Sequence, residues 1–137
     1  VAEVSPTSIT YYSPDKTVVS PTGIGFYKLR RITYQIVGTT LTRQVTTSTN
    51  QSPPWTFPTT AAPTVVVAPN LRPYSATAAS RSYFRAFTGA GTDVTSAPSM
   101  VGQVERLFVH IEVNALKRPS AVQIFEDTVE MRSEPIQ

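Results

Sequence analysis

The sequence predicts a mainly antiparallel β-sheet with little helix, and three observations carry that expectation. From Val104 to Asn114, Leu107, Val109, Ile111 and Val113 point one way while Arg106, His110 and Glu112 point the other. This is the period-two alternation of a half-buried strand. A second strand-like run, Ser120 to Arg132, follows across the short connection Ala115 to Pro119, which suits an antiparallel hairpin. Further upstream, Tyr27 to Val37 and Thr40 to Thr47 alternate on either side of Gly38-Thr39, the pattern of another hairpin with a tight turn. Together these runs predict one sheet whose last two strands are its longest.

Taken in order, Val1 to Val4 is too short to assign; the last turn of a helix is one reading of it, which Ser5-Pro6 would end because the residue before proline avoids the α region. Thr7 to Ser13 is β-rich and predicts a first strand, with Pro14-Asp15-Lys16 as turn chemistry after it. Thr17 to Gly25, with Pro21, Gly23 and Gly25, predicts a loop holding at most a short edge strand. In the Thr40 to Thr47 run, Arg43 sits on the apolar parity, where it must snorkel to the sheet edge or pair with a carboxylate. Ser48 to Ala62 is polar and proline-rich around Trp55 and Phe57, the least regular part of an insertion spanning about 48–81. Within that insertion, Thr64 to Ala68 predicts a short strand between Pro63 and Pro69. Arg81 to Thr88 predicts an aromatic strand, Gly89-Ala90-Gly91 a turn, and Ser96 to Gly102 a single helical or 3-10 turn. In the final run, Val122 and Ile124 lie on one parity and Val129 and Met131 on the other, which predicts a bulge near Phe125 to Asp127.

At 137 residues the chain has the size of a single domain, 1–137, able to bury roughly two thirds of its unfolded surface. It contains no cysteine, which excludes a disulfide framework and thiolate metal sites. The net charge of +3 comes from scattered basic residues, so a nucleic-acid partner is allowed but not demanded. No apolar run reaches the roughly 18 to 20 residues that span a bilayer as a helix.

Residue types that carry chemistry are sparse. The one histidine, His110, stands two residues from Glu112 on the polar face of its strand. A metal site or proton relay needs more ligands, so a surface histidine is expected. Glu126, Asp127 and Glu130 lack the spacing of a calcium loop and read as a solvated strand face. Gly23-Ile24-Gly25 and Gly89-Ala90-Gly91 are too short for phosphate loops, and no nucleophile elbow occurs. Neither an enzyme nor a cofactor is expected. Asn50-Gln51-Ser52 matches a glycosylation acceptor, but Pro53 follows and the match reads as chance. Trp55, Phe57, Tyr74, Tyr83, Phe84 and Phe87, with Arg72, Arg81 and Arg85, form either a platform for sugars or bases or the means of packing the long loop onto the sheet, and packing is the expectation. The candidate interaction surface is therefore Trp55, Phe57, Arg72, Tyr74, Arg81 and Arg85.

The order of these runs resembles the globular domains of minor type IV pilins and of the J-type pseudopilins of type II secretion. The resemblance rests on Ser5 to Tyr12, then on the hairpin residues Tyr34, Ile36, Gly38, Leu41 and Arg43. It continues through the aromatic strand and glycine turn from Tyr83 to Gly91, and through Val104, Leu107, Val109, Ile111 and Val113 followed by Thr128 to Arg132. The proline-rich middle lies outside it, and Ser133 follows Arg132 where family endings often read Arg-Asn. The resemblance implies an α+β fold in full length, with a leader and a long apolar helix preceding Val1 and anchoring the subunit in the inner membrane. It further implies a structural, non-enzymatic subunit at the bacterial cell surface or periplasm, assembled with other pilin or pseudopilin subunits into a filament that serves adhesion, motility or DNA uptake. The 48–81 segment would then meet neighbouring subunits, a secreted substrate, a host surface or DNA. The alternative is a free-standing extracellular module that binds carbohydrate through Trp55 and its neighbours, or DNA through its arginines.

Overall fold

The structure is a computed structural model and describes residues 1–15, 27–77, 81–115 and 118–131. The loop expected at Thr17 to Gly25, Lys16, and the end from Arg132 onward lie outside the described residues. Strands β1 (Glu3–Ser5), β2 (Ser8–Asp15), β3 (Lys28–Val37), β4 (Thr40–Thr47) and β5 (Thr64–Ala68) form one antiparallel sheet in sequence order. Strands β6 (Tyr83–Phe87), β7 (Arg106–Ala115) and β8 (Arg118–Glu130) form a second antiparallel sheet, again in sequence order. A 3-10 turn, Pro98–Gln103, leads into β7, as the small polar run there predicts. The architecture is mainly antiparallel β with almost no helix, but it has two sheets where one was expected. The break falls between Ala68 and Tyr83, where Pro69 and Pro73 donate no amide hydrogen and Asn70 takes a φ of 61°. A ladder does not run through such a segment.

Three local expectations are corrected. Val1 to Val4 holds no helical turn; β1 pairs with β2, Val4 opposite Ile9. The Ser5 hydroxyl accepts the Ser8 amide at 3.0 Å, which tightens the reversal and brings the two strands together. Pro14 and Asp15 continue β2 in register with Leu29 and Lys28 and make no turn. Partners from β1 stop at Thr10, so β2 is an edge there, where proline is tolerated. The bulge expected near Phe125 to Asp127 is absent. Pairing of β7 with β8 runs unbroken from Asn114↔Val122 to Arg106↔Glu130, and the register shifts between Asn114 and Ala115 instead. Register is pinned by apolar parity only where a face is buried. From Gln123 to Glu130, β8 is exposed on both faces, so its change of parity imposes no kink.

The β3–β4 hairpin follows the sequence closely, with Ile36 opposite Leu41 and Tyr34 opposite Arg43. Gly38, the first of its two loop residues, has a φ of 55°, the sign that a type II′ turn requires at that position. An added Cβ there meets nothing within 4 Å, so the cost of Gly38→Ala is conformational alone. We expect it to be about 1 kcal/mol, read as a lower denaturant midpoint at unchanged m-value.

Both sheets contribute to one core. Val4, Ile9, Ile36 and Leu41 come from the first, and Phe84, Ala86, Leu107 and Ile111 from the second. Leu71, Val94 and Val104 pack among them from the connections. Residues Asn70 to Arg72 act as a clasp between the sheets. The Leu71 amide donates to the Thr39 carbonyl at 2.8 Å, the Arg72 amide to the Glu112 carbonyl at 2.9 Å, and the Asn114 amide to the Asn70 carbonyl at 2.9 Å. The turn of the β3–β4 hairpin is thereby tied to the middle strand of the smaller sheet.

Candidate interaction surface

The six residues expected to form one surface are divided among four places. Trp55 and Phe57 lie on the outer face of the larger sheet. Phe57 packs on Tyr12, with ring centroids 5.8 Å apart, and under the Arg31 guanidinium, 5.1 Å from its ring centre. Tyr12 and Arg31 are cross-strand partners, so one aromatic ring covers one rung of the ladder. Trp55 packs on Tyr27 at 5.7 Å and donates its indole hydrogen to the Tyr27 carbonyl at 3.4 Å. The loop is held closed by Asn50. Its Oδ1 accepts from the Thr56 amide at 2.8 Å, and its Nδ2 donates to the carbonyls of Ser52 and Pro54 at 2.7 and 2.8 Å. The contacts are those of packing onto the sheet. Asn50→Ala should loosen the loop at a cost of about 2 kcal/mol, seen as a red shift of Trp55 fluorescence and faster proteolysis between Ser48 and Ala62.

Tyr74 and Arg85 line an open cleft with Pro6, Tyr83, Asp93 and Thr95. Most polar and aromatic groups in it are already engaged. Asp93 Oδ1 accepts from both the amide and the hydroxyl of Thr95, and Thr95 Oγ1 accepts the Ala86 amide. The Tyr83 ring stacks on His110 at 4.9 Å, and the Arg85 guanidinium lies 5.0 Å from its centre. Tyr74 is the exposed aromatic of the cleft. Arg81 lies apart from it, with its Nε buried and without a hydrogen-bond partner among the described residues.

Arg72 belongs to an ion network that the sequence did not reveal. Its Nη1 lies 3.2 Å from Glu112 Oε2, and Glu112 Oε1 lies 3.0 Å from His110 Nε2. His110 Nδ1 lies 2.6 Å from Glu126 Oε1 on the neighbouring strand. His110 is therefore not the surface histidine expected from alternation: it is 7% exposed, and Glu112 is 2% exposed. The correction has a tertiary cause. Tyr83 covers the ring from β6, and the clasp and Ser82 close over the Glu112 backbone. The two carboxylates flank the ring, one at each nitrogen. The lone histidine beside a glutamate was the available signal, but Arg72 and Glu126 are reached only through the fold.

The most open apolar surface lies at the far ends of the two sheets. In β5, Val65, Val66 and Val67 are all exposed, and in β8 so are Ile124, Phe125 and Val129. Beside β5, Arg43 stands opposite Val65 and reaches solvent, as snorkelling predicts. The Tyr11 hydroxyl has its pKa raised first by burial and then by Tyr34, against the opposing pull of the Arg43 and Arg30 charges. Comparison of the chain with protein-family models, with curated proteins and with solved structures finds no match.

Proposed function

We propose that the chain is a structural, non-catalytic subunit of an extracellular filament, the globular domain of a minor pilin or pseudopilin of a type IV pilus or type II secretion system. On this reading it works at the bacterial cell surface or periplasm, where it is anchored by a preceding apolar helix and assembles with like subunits. The observation that carries the reading is the row of three exposed valines in β5 together with the exposed Ile124, Phe125 and Val129 of β8. Clusters of this kind mark surfaces that other protein covers. The order of hairpins that resembles such domains supports the same reading.

The test is to epitope-tag the chain in its cell of origin, shear the cells, and probe the filament fraction. Tagged chain in sheared filaments, with label along or at the tip of fibres under the electron microscope, is the expected result. Chain found solely in the cytosol, directly preceded by a start methionine, overturns the proposal.

The exposed Tyr74 beside Arg85 in the open cleft favours a second reading, a carbohydrate- or DNA-binding module. Its sign would be Tyr74-dependent retention on immobilised glycans, or DNA binding that weakens steeply with salt. Unchanged glycan retention in Tyr74→Ala and no DNA binding at low salt remove it.

A further inference from the structure

Of the four sheet ends, two are closed. The edge of β1 meets the smaller sheet, where the Phe84 amide donates to the Pro6 carbonyl at 2.9 Å. The edge of β6 is covered by the segment after it: the Ala86 amide donates to Thr95 Oγ1 at 2.9 Å, and the Ala86 carbonyl accepts the Val94 amide at 2.8 Å. The ends formed by β5 and β8 have no further strand beside them among the described residues. Soluble proteins usually blunt such edges with charge, proline or a covering element. From Thr64 to Ala68, β5 contains no charged residue and no proline, and Val66 is 59% exposed. In β8, Ile124 and Phe125 are 59% and 58% exposed on opposite faces of the strand.

Resting on the filament reading above, we infer that β5 of one copy pairs edge to edge with β8 of a second copy, joining subunits head to tail. Charge selects this pairing over the two symmetric ones. Between Ala121 and Glu130, β8 carries Glu126, Asp127 and Glu130 and no lysine or arginine. Two β8 strands set side by side bring like charges together across the ladder. β5 is neutral, and behind it Arg43 shares the face of Val65. An incoming β8 that continues this face places Phe125, Asp127 and Val129 along it, two apolar side chains on either side of a carboxylate directed towards the arginine. Two β5 strands, neither carrying a charged residue, would instead bring no carboxylate towards the arginine. Because the two edges are different surfaces, the contact is heterologous, and it propagates unless a rotation happens to close it into a ring. Main-chain hydrogen bonds between edges hold such a joint, and the exposed side chains fix its register.

The test uses the purified 137-residue chain and two variants at exposed positions, Val66→Asp in β5 and Phe125→Asp in β8. Circular dichroism and thermal unfolding confirm that each folds. In sedimentation velocity over a concentration series, the wild type should grow into chains. Each variant alone should need about tenfold more protein or higher to associate, the loss expected from one buried apolar side chain. An equimolar mixture should form a one-to-one pair, because one intact β5 and one intact β8 remain in it. Val66→Asp assembling like wild type means a joint through β8 alone, Phe125→Asp doing so means one through β5 alone, and a monomeric wild type at every concentration means neither; each result overturns the inference. The same variants separate this inference from the filament reading. If both enter sheared filaments as well as wild type, the edge joint fails and the filament role stands. If wild type never enters filaments but assembles in solution, the role fails and the joint stands.

Discussion

Replacing Glu112 by alanine is expected to lower the free energy of unfolding by about 3–5 kcal/mol, measured by urea denaturation near neutral pH. The carboxylate is 2% exposed and lies between Arg72 and His110, so its loss leaves two buried or half-buried donors facing nothing. The penalty comes from those abandoned groups more than from the attraction itself. Glu112→Gln keeps the shape and one acceptor oxygen, and should recover part of the loss. The network also pins the clasp, since Arg72 binds the Glu112 side chain through its guanidinium and the Glu112 carbonyl through its amide. In Glu112→Ala, amide exchange should therefore accelerate at Leu71 and Arg72 before it does at Ile32 or Val45, in the middle of the larger sheet. A cost under about 1 kcal/mol, the range of an exposed pair, would show that the network is not buried in solution.

Leu71→Ala is the second large effect, about 2–5 kcal/mol in the same experiment. Leu71 is 0% exposed and fills the space between the sheets, while its amide donates to Thr39 and its backbone bridges Val113. Alanine preserves the backbone bonds and empties the space. The surrounding residues belong to two hydrogen-bonded ladders, which limits how far they can collapse into the cavity. Val65→Ala, at an exposed edge position, is the internal comparison and should fall within about 0.5 kcal/mol of wild type. Equal costs at the two positions would mean that the clasp does not seal the core.

How far the fold was legible depends on the partner that each residue meets. Alternation located β3, β4 and β7 and the tight turn at Gly38, because neighbours along a strand and across a two-residue turn are written consecutively in the chain. It misjudged β8 because a parity rule presumes a buried face, and β8 has little of one. It left Val1 to Val4 open because a three-residue strand carries too short a pattern to distinguish from a helical turn. The candidate surface was less legible. Aromatic and arginine composition grouped Trp55 with Tyr74 and Arg85, but these residues sit on different sheets, and composition holds no information about which sheet a loop folds onto.

What this chain determines by sequence alone is its antiparallel β character, the hairpin around Gly38 and the strand-forming core residues from Leu107 to Val113. Side-chain period and turn chemistry act over a few residues and need no distant partner. The tertiary structure alone decided that there are two sheets, that Asn70 to Arg72 clasp them, and that His110 is enclosed between carboxylates sixteen and two residues away in the chain. It also decided which edges stay open, because an edge is defined by the strand that does not come to lie beside it.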